Sequence, residues 1–274
     1  MKEKIRLFAK SLGITEFGVT LTAANKTVLV FLFPYYCGNK KGNISLYARS
    51  PDYHLIVKKY LEKIAGYIKS LEINISCEIY CDNNSLGERE LAYTAGLGFY
   101  GKNRMLINPT YGSYFFIGCV ICDGLILKAD TPLNKICAGC GMCIKNCPGD
   151  ALSENGFDIT KCASELSQKK GELTEAEKQI ILKSGFLWGC DICQNVCPHN
   201  KNIKLTPIAD FKENLIFSLP EDDIVSLSGR AFLKKYTGRA FTWRGKNVLL
   251  RNIKIKTERI SDNGNQNNNT SYKR

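Results

Sequence analysis

Eight of the thirteen cysteines in this 274-residue chain fall between positions 137 and 197. Cys137, Cys140, Cys143 and Cys147 read C-x2-C-x2-C-x3-C and are followed by Pro148. Cys190, Cys193 and Cys197 read C-x2-C-x3-C and are followed by Pro198. The first run is the bacterial ferredoxin spacing, in which the fourth cysteine serves the other cluster. A tight C-x2-C-x2-C loop offers three thiolates on one face, and an iron–sulfur cube takes its fourth from elsewhere. The spacing therefore predicts two [4Fe-4S] clusters that exchange ligands. One takes Cys137, Cys140, Cys143 and Cys197. The other takes Cys147, Cys190 and Cys193, with Cys162 as the nearest remaining thiol. Zinc sites usually show two separated C-x2-C pairs or include histidine. Disulfides require an oxidising compartment.

The remaining composition points to a folded, cytoplasmic protein. Apolar residues make up 44% of the chain. No signal-peptide pattern opens it, and its longest apolar run, Val28 to Tyr36, is too short to span a bilayer. The expectation is a soluble monomer that does not engage membranes. The formal charge is +12, and from Ser228 to Arg274 twelve Lys/Arg stand against Glu258 and Asp262, a net +10. Such a segment suits a polyanionic partner, nucleic acid first. A solvated basic surface explains the charge equally well.

Periodicity predicts helices over Lys2–Leu12, Asp52–Leu71, Leu86–Ala95, Leu173–Ser184 (capped by Thr174) and Glu221–Tyr236. A short helix is also expected to begin at Asp150–Leu152. Strands are expected over Phe17–Thr20, Thr27–Phe33, Asn74–Tyr80 and Ser113–Cys122, with Pro34 ending the second. This βα alternation suggests an α/β sandwich ahead of the cluster segment. The Asn-rich stretch 261–274 is expected to be disordered.

Electrons held in clusters need a destination, and the region around Asp82 offers one. Asp82 sits between a strand and a helix and is followed by the glycine-rich turn Gly96-Leu97-Gly98-Phe99-Tyr100-Gly101-Lys102. An acid there is either a pocket-facing catalytic group or a cap for the following helix. The glycines come after a helix, the reverse of the dinucleotide-binding order.

Taken together, these segments resemble the epoxyqueuosine reductase family of tRNA-modifying enzymes. The matching residues are Tyr47-Ala48-Arg49, Asp52-Tyr53-His54, the Asp82 segment with Glu88-Arg89, Ala95-Gly96-Leu97-Gly98 with Gly101-Lys102, Gly112-Ser113 and Gly118. Downstream they continue with Cys162-Ala163-Ser164, Gly189-Cys190-Asp191, Cys193-Gln194, Cys197-Pro198 and Leu250-Arg251-Asn252. The resemblance covers roughly residues 25 to 253. It departs at Ser85, where the family usually has Pro, and at Glu165, where it has a larger aromatic.

The resemblance implies an α+β protein: a nitroreductase-like α/β cobalamin-binding domain over 1–130, a ferredoxin-like two-cluster domain over 131–205, a basic helical segment over 206–260, and the tail 261–274. It implies a short member without the C-terminal helical-repeat domain. The reaction would be reduction of the epoxide of epoxyqueuosine in a tRNA anticodon loop, with a low-potential electron donor feeding the clusters and cobalamin receiving the electrons. Asp82 becomes the catalytic acid, in an apolar pocket. Matching position names Ile44, Asp82, Gly101, Lys102, Ile107, Gly118, Ser164 and Asp191 as cobalamin contacts. His54 reads as hydrogen-bonding locally at a helix start, His199 as structural, and Cys119 and Cys122 as core residues. Another cobalamin and iron–sulfur reductase, dehalogenase-like or corrinoid-reducing, stands as an alternative. So does a ferredoxin-type electron carrier, which would leave residues 25 to 122 without a task.

Overall fold

The run Thr27–Pro34 is buried at every position, which a strand achieves only when both faces of its sheet are covered. In chain order the strands of the computed structural model are β1 Phe17–Leu21, β2 Thr27–Pro34, β3 Ser76–Tyr80, β4 Phe99–Tyr100, β5 Leu106–Ile107 and β6 Phe115–Asp123. The α-helices are α1 Lys2–Ser11, α2 Tyr53–Leu71, α3 Glu88–Thr94, α4 Met142–Lys145, α5 Ala163–Gln168, α6 Glu175–Ser184, α7 Ile192–Asn195, α8 Glu221–Ser226, α9 Gly229–Lys235 and α10 Lys246–Asn268. The structure describes residues 1–72, 74–82 and 86–268, with side chains described through 257. Ser85 lies outside the described residues.

The chain divides into two units. Met1–Asn39, Ser50–Cys143 and Gln194–Leu215 make the first, and Lys40–Arg49, Ile144–Cys193 and Ile216–Arg274 the second. The division falls within the cysteine-rich stretch.

In the first unit the sheet order is β1-β2-β6-β3, antiparallel at every pairing. The alternation of strands and helices thus builds an antiparallel sheet, in keeping with an α+β protein. Val28, Val30 and Leu32 of β2 pack with Ala92 and Ala95 at α3. Against the sheet's other face lies α2, which buries Val57, Leu61, Ile64 and Ile68. Asp52 caps α2 by accepting from His54 N at 3.0 Å, so the helix starts one residue later than its apolar period suggests. Pro34 is the last residue of β2, opposite Phe115, and the strand ends there as expected.

In the second unit, α5, α6, α8, α9 and α10 gather around two apolar clusters. The larger holds Ile44, Trp188, Phe232, Phe241 and Leu249, and the smaller Leu166, Ile181 and Ile255. Thr174 and Glu177 form a complete capping box on α6, which Gly185 ends in the left-handed conformation. Asn252 is fully buried and donates to Ser167 O and Leu187 O at 2.8 and 2.9 Å.

Two expectations fail locally. The helix predicted over Glu221–Tyr236 is two, because Leu227 is extended and the Ser228 hydroxyl caps α9 by accepting from Ala231 N. No helix starts at Asp150, whose φ is +52°; Leu152 instead bridges Phe157. Helix α10 is described through Asn268, and 269–274 lie outside the described residues. No helix among the described residues is long and apolar enough to cross a membrane.

Candidate metal centres and acid site

The first cysteine run is shaped by its glycines. Gly139 and Gly141 take φ of +67° and +68°, a backbone that L side chains rarely adopt and glycine adopts freely. The resulting loop brings Cys137, Cys140 and Cys143 into one small cavity with Cys197, inside the first unit. Burial pushes the Cys197 thiol up, and the neighbouring Cys137, Cys143 and Cys140 push it further.

The second quartet lies wholly in the second unit. Cys190 is raised to about 12, first by burial and also by the nearby Cys162 and Cys147. Cys193 is raised further, by burial and then by Cys190, Cys162 and Cys147. Cys147 Sγ accepts from Ala151 N at 3.3 Å. The eight thiols therefore lie in two groups of four. Where burial raises the thiol, at Cys190, Cys193 and Cys197, a cationic metal core that takes up thiolate charge suits it. Among the described residues no three His, Cys, Asp or Glu groups converge on a point for one metal ion. A tetrahedral zinc site would hold its sulfurs roughly 3.8 Å apart, from Zn–S bonds of about 2.3 Å.

Beyond the end of β3, Asp82 has a φ of +53° and accepts a hydrogen bond from Tyr53 Oη. His54 Nε2 lies 3.4 Å from its carboxylate, and His54 Nδ1 lies 2.8 Å from Asp52. Asp82 N donates to Glu88 Oε1 at 2.8 Å. Asp82 does not cap α3, whose N-cap is Gly87 with no side-chain cap. Hydrogen bonds to Asp52 first and Asp82 second raise His54 to about 9, against the cost of burial. For Asp52, burial works upward, but the hydrogen bonds and charge of His54 outweigh it and the carboxyl is lowered. Tyr53 stacks between His54 and Phe116, 4.0 Å from each ring. The result is an acid, an imidazolium and a phenol in hydrogen-bonding range, preset for moving protons. Asp82 does not sit in the expected apolar pocket: its side chain is 54% exposed among polar partners.

The other anticipated residues divide. Gly101, Lys102 and Ile107 line the cavity of the first quartet. A Cβ on Gly118 would fall 2.7 Å from Phe33 and 3.0 Å from Val57, so close packing of α2 on β6 accounts for that glycine. Ile44 belongs to the second unit's apolar core. Asp191, also in the second unit, is fully buried, and its carboxylate accepts from Ser45 Oγ and Leu46 N; burial raises its pKa, partly offset by those bonds. Ser164, also in the second unit, accepts through its carbonyl from Ser167 Oγ at 2.8 Å. His54 does bond locally to Asp52 as read from the sequence, but its reach to Asp82 was not foreseen, nor was Tyr53's part. The triplet Asp52-Tyr53-His54 at a helix start was the available signal. Cys119 and Cys122 are core residues.

Residues 136–200 match a family model described as a 4Fe-4S double cluster binding domain. Residues 20–83 match one described as epoxyqueuosine reductase QueG, DUF1730. Among curated proteins, an epoxyqueuosine reductase of Bacillus cereus is 33% identical over 222 residues, covering 78% of this chain and 56% of that protein. One of Aliivibrio fischeri is 35% identical over 216 residues, covering 77% and 57%. The chain thus spans just over half the length of these relatives. A solved epoxyqueuosine reductase carrying an epoxyqueuosine-modified tRNA stem loop superposes with a TM-score of 0.83 at 24% identity, over 93% of this chain and 80% of that one.

Proposed function

The chain belongs to the epoxyqueuosine reductase family, and from that premise we propose that it reduces the epoxide of epoxyqueuosine in a tRNA anticodon loop to the alkene of queuosine. The reaction consumes two electrons and two protons and releases the epoxide oxygen as water. The observation that carries the reading is the pairing, in one chain, of two four-thiol groups with a preset acid site.

The chain's parts answer both needs. Cys137, Cys140, Cys143 and Cys197 hold one [4Fe-4S] cluster, and Cys147, Cys162, Cys190 and Cys193 the other. Each donor set has the four thiolates such a cluster takes. Cobalamin, the family's third redox group, supplies low-valent cobalt to the substrate when bound. The residues fit it in one respect. The Asp82 side chain is 54% exposed, within reach of a bound ligand.

The protons are the work of this chain's own side chains. Asp82 donates to the departing oxygen as general acid. His54, protonated up to about pH 9, supplies that proton through the Asp82 carboxylate in the same step, drawn by a departing oxygen far more basic than either group, and Tyr53 holds the carboxylate in place. Asp52 orients His54 through Nδ1 and so presents Nε2 to Asp82.

The basic C-terminal part is the proposed tRNA surface. There Arg230, Lys234 and Lys254 are exposed. Trp243, 59% exposed, carries the Arg244 guanidinium 3.6 Å above its ring. Other basic residues are engaged within the second unit. Lys246 donates to Val225 O and Leu227 O, Lys256 to Gly185 O, and Arg251 to the carbonyls of Leu166, Lys169 and Gly171.

The test is nucleoside analysis of tRNA from a strain lacking the gene. Accumulated epoxyqueuosine and absent queuosine are expected. Unchanged queuosine would favour a reductase acting on another substrate.

A further inference from the structure

We infer that Asn103 donates a hydrogen bond from its side-chain amide to the iron–sulfur cluster held by Cys137, Cys140, Cys143 and Cys197, and so raises that cluster's reduction potential. The inference rests on the reading that this quartet holds a cluster.

Asn103 is 6% exposed, and its Nδ2 is one of three buried side-chain nitrogens or oxygens without a hydrogen-bond partner among the described residues. Buried amides are almost always paired, so a donor left bare signals a missing acceptor. Asn103 lines the same small cavity as the four cysteines. Among the described residues nothing supplies that acceptor. A thiolate-ligated cluster does, through its sulfurs, and hydrogen bonds to those sulfurs are among the determinants of cluster potential.

The amide is held in one orientation. Its Oδ1 accepts from Met105 N at 3.2 Å, within the turn joining β4 to β5, where Gly101 N donates to Met105 O and Arg104 N to Gly101 O. Flipping the amide would turn its NH2 toward Met105 N–H, donor against donor. The turn is also built around this side chain. A Cβ at Gly101 would fall 2.4 Å from Asn103 Oδ1, so only glycine leaves it room. The nearby backbone donor Ala138 N is already bonded to His199 Nε2 at 3.3 Å. The second quartet receives a backbone N–H instead, from Ala151 to Cys147.

The test is a redox titration of the purified, cluster-loaded protein followed by electron paramagnetic resonance. Asn103→Leu keeps the branched outline and removes the donor, and Asn103→Ala serves as the second variant should leucine prevent folding. The expected result is that one of the two cluster signals moves to lower potential, by about tenfold in its one-electron equilibrium constant, or about 59 mV. The other signal stays in place. An exchangeable proton coupled to the moved cluster, seen by electron–nuclear double resonance in H2O and lost in D2O, should be missing in the variant. Unmoved potentials and an unchanged proton coupling, with iron content equal to wild type, would overturn the role of Asn103. A different result, a single cluster signal in the wild-type protein that survives Cys140→Ala, would remove the cluster reading beneath it.

Discussion

At the scale of single residues, the acid site turns on His54. Its pKa lies near 9 because Asp52 and Asp82 both favour the imidazolium. A group raised in the folded state contributes stability below its unfolded value of about 6.5, and that contribution is lost as pH rises through about 9. The melting temperature is therefore expected to fall between pH 6.5 and 9 more in the wild type than in His54→Gln. Proton NMR should place the His54 titration near 9, and Asp82→Asn should bring it down, because one of its two carboxylate partners is gone. An imidazole titrating near 6.5 in the wild type would contradict the pairing. For catalysis the sign is the same: turnover should hold through neutral pH and decline as His54 loses its proton. Asp82→Asn should keep both clusters, read from iron content and visible absorption, and lose roughly 10²–10⁴ of turnover. Wild-type rates in that variant would end the general-acid role.

At the scale of elements, much of the fold was legible because caps and apolar periods are local. The α2 stripe of Ile56, Leu61, Ile64 and Ile68 and the α6 cap at Thr174 are readable within a few residues. Thr174→Ala should cost about 1 kcal/mol, measured by urea denaturation; no loss would mean that the capping box adds nothing. The misreadings were local rules overridden by one residue. Ser228 caps a new helix inside a stretch whose apolar spacing runs on unbroken, and Asp150 turns left-handed where a helix was expected. Cysteine spacing carried the metal centres, since ligand loops are short. The acid site was only half visible, because Tyr53 and His54 meet Asp82 across a long stretch of chain, joining the start of α2 to the turn after β3. Nor could spacing distinguish basic residues facing solvent from those, such as Lys246 and Arg251, that are engaged with backbone carbonyls.

At the scale of the whole molecule, the charge distribution and the reaction make separate demands. If the basic surface grips tRNA, affinity should fall steeply with salt. Replacing Arg230, Lys234 and Lys254 with Gln should flatten the log–log slope by about 0.7–0.9 for each phosphate that is no longer neutralised. Lys246→Gln should chiefly lower stability, because its ammonium is spent on carbonyls joining α8 to the start of α9. A slope unchanged by the triple substitution would return those charges to a solvated surface. The central claim is the reduction itself. The direct measurement is mass spectrometry of nucleosides from epoxyqueuosine-bearing tRNA incubated anaerobically with the cluster-loaded protein, cobalamin and a low-potential reductant. Conversion to queuosine by the wild type, and its near absence with Asp82→Asn, is the result predicted. Epoxyqueuosine left intact by a protein with both clusters and bound cobalamin would contradict it.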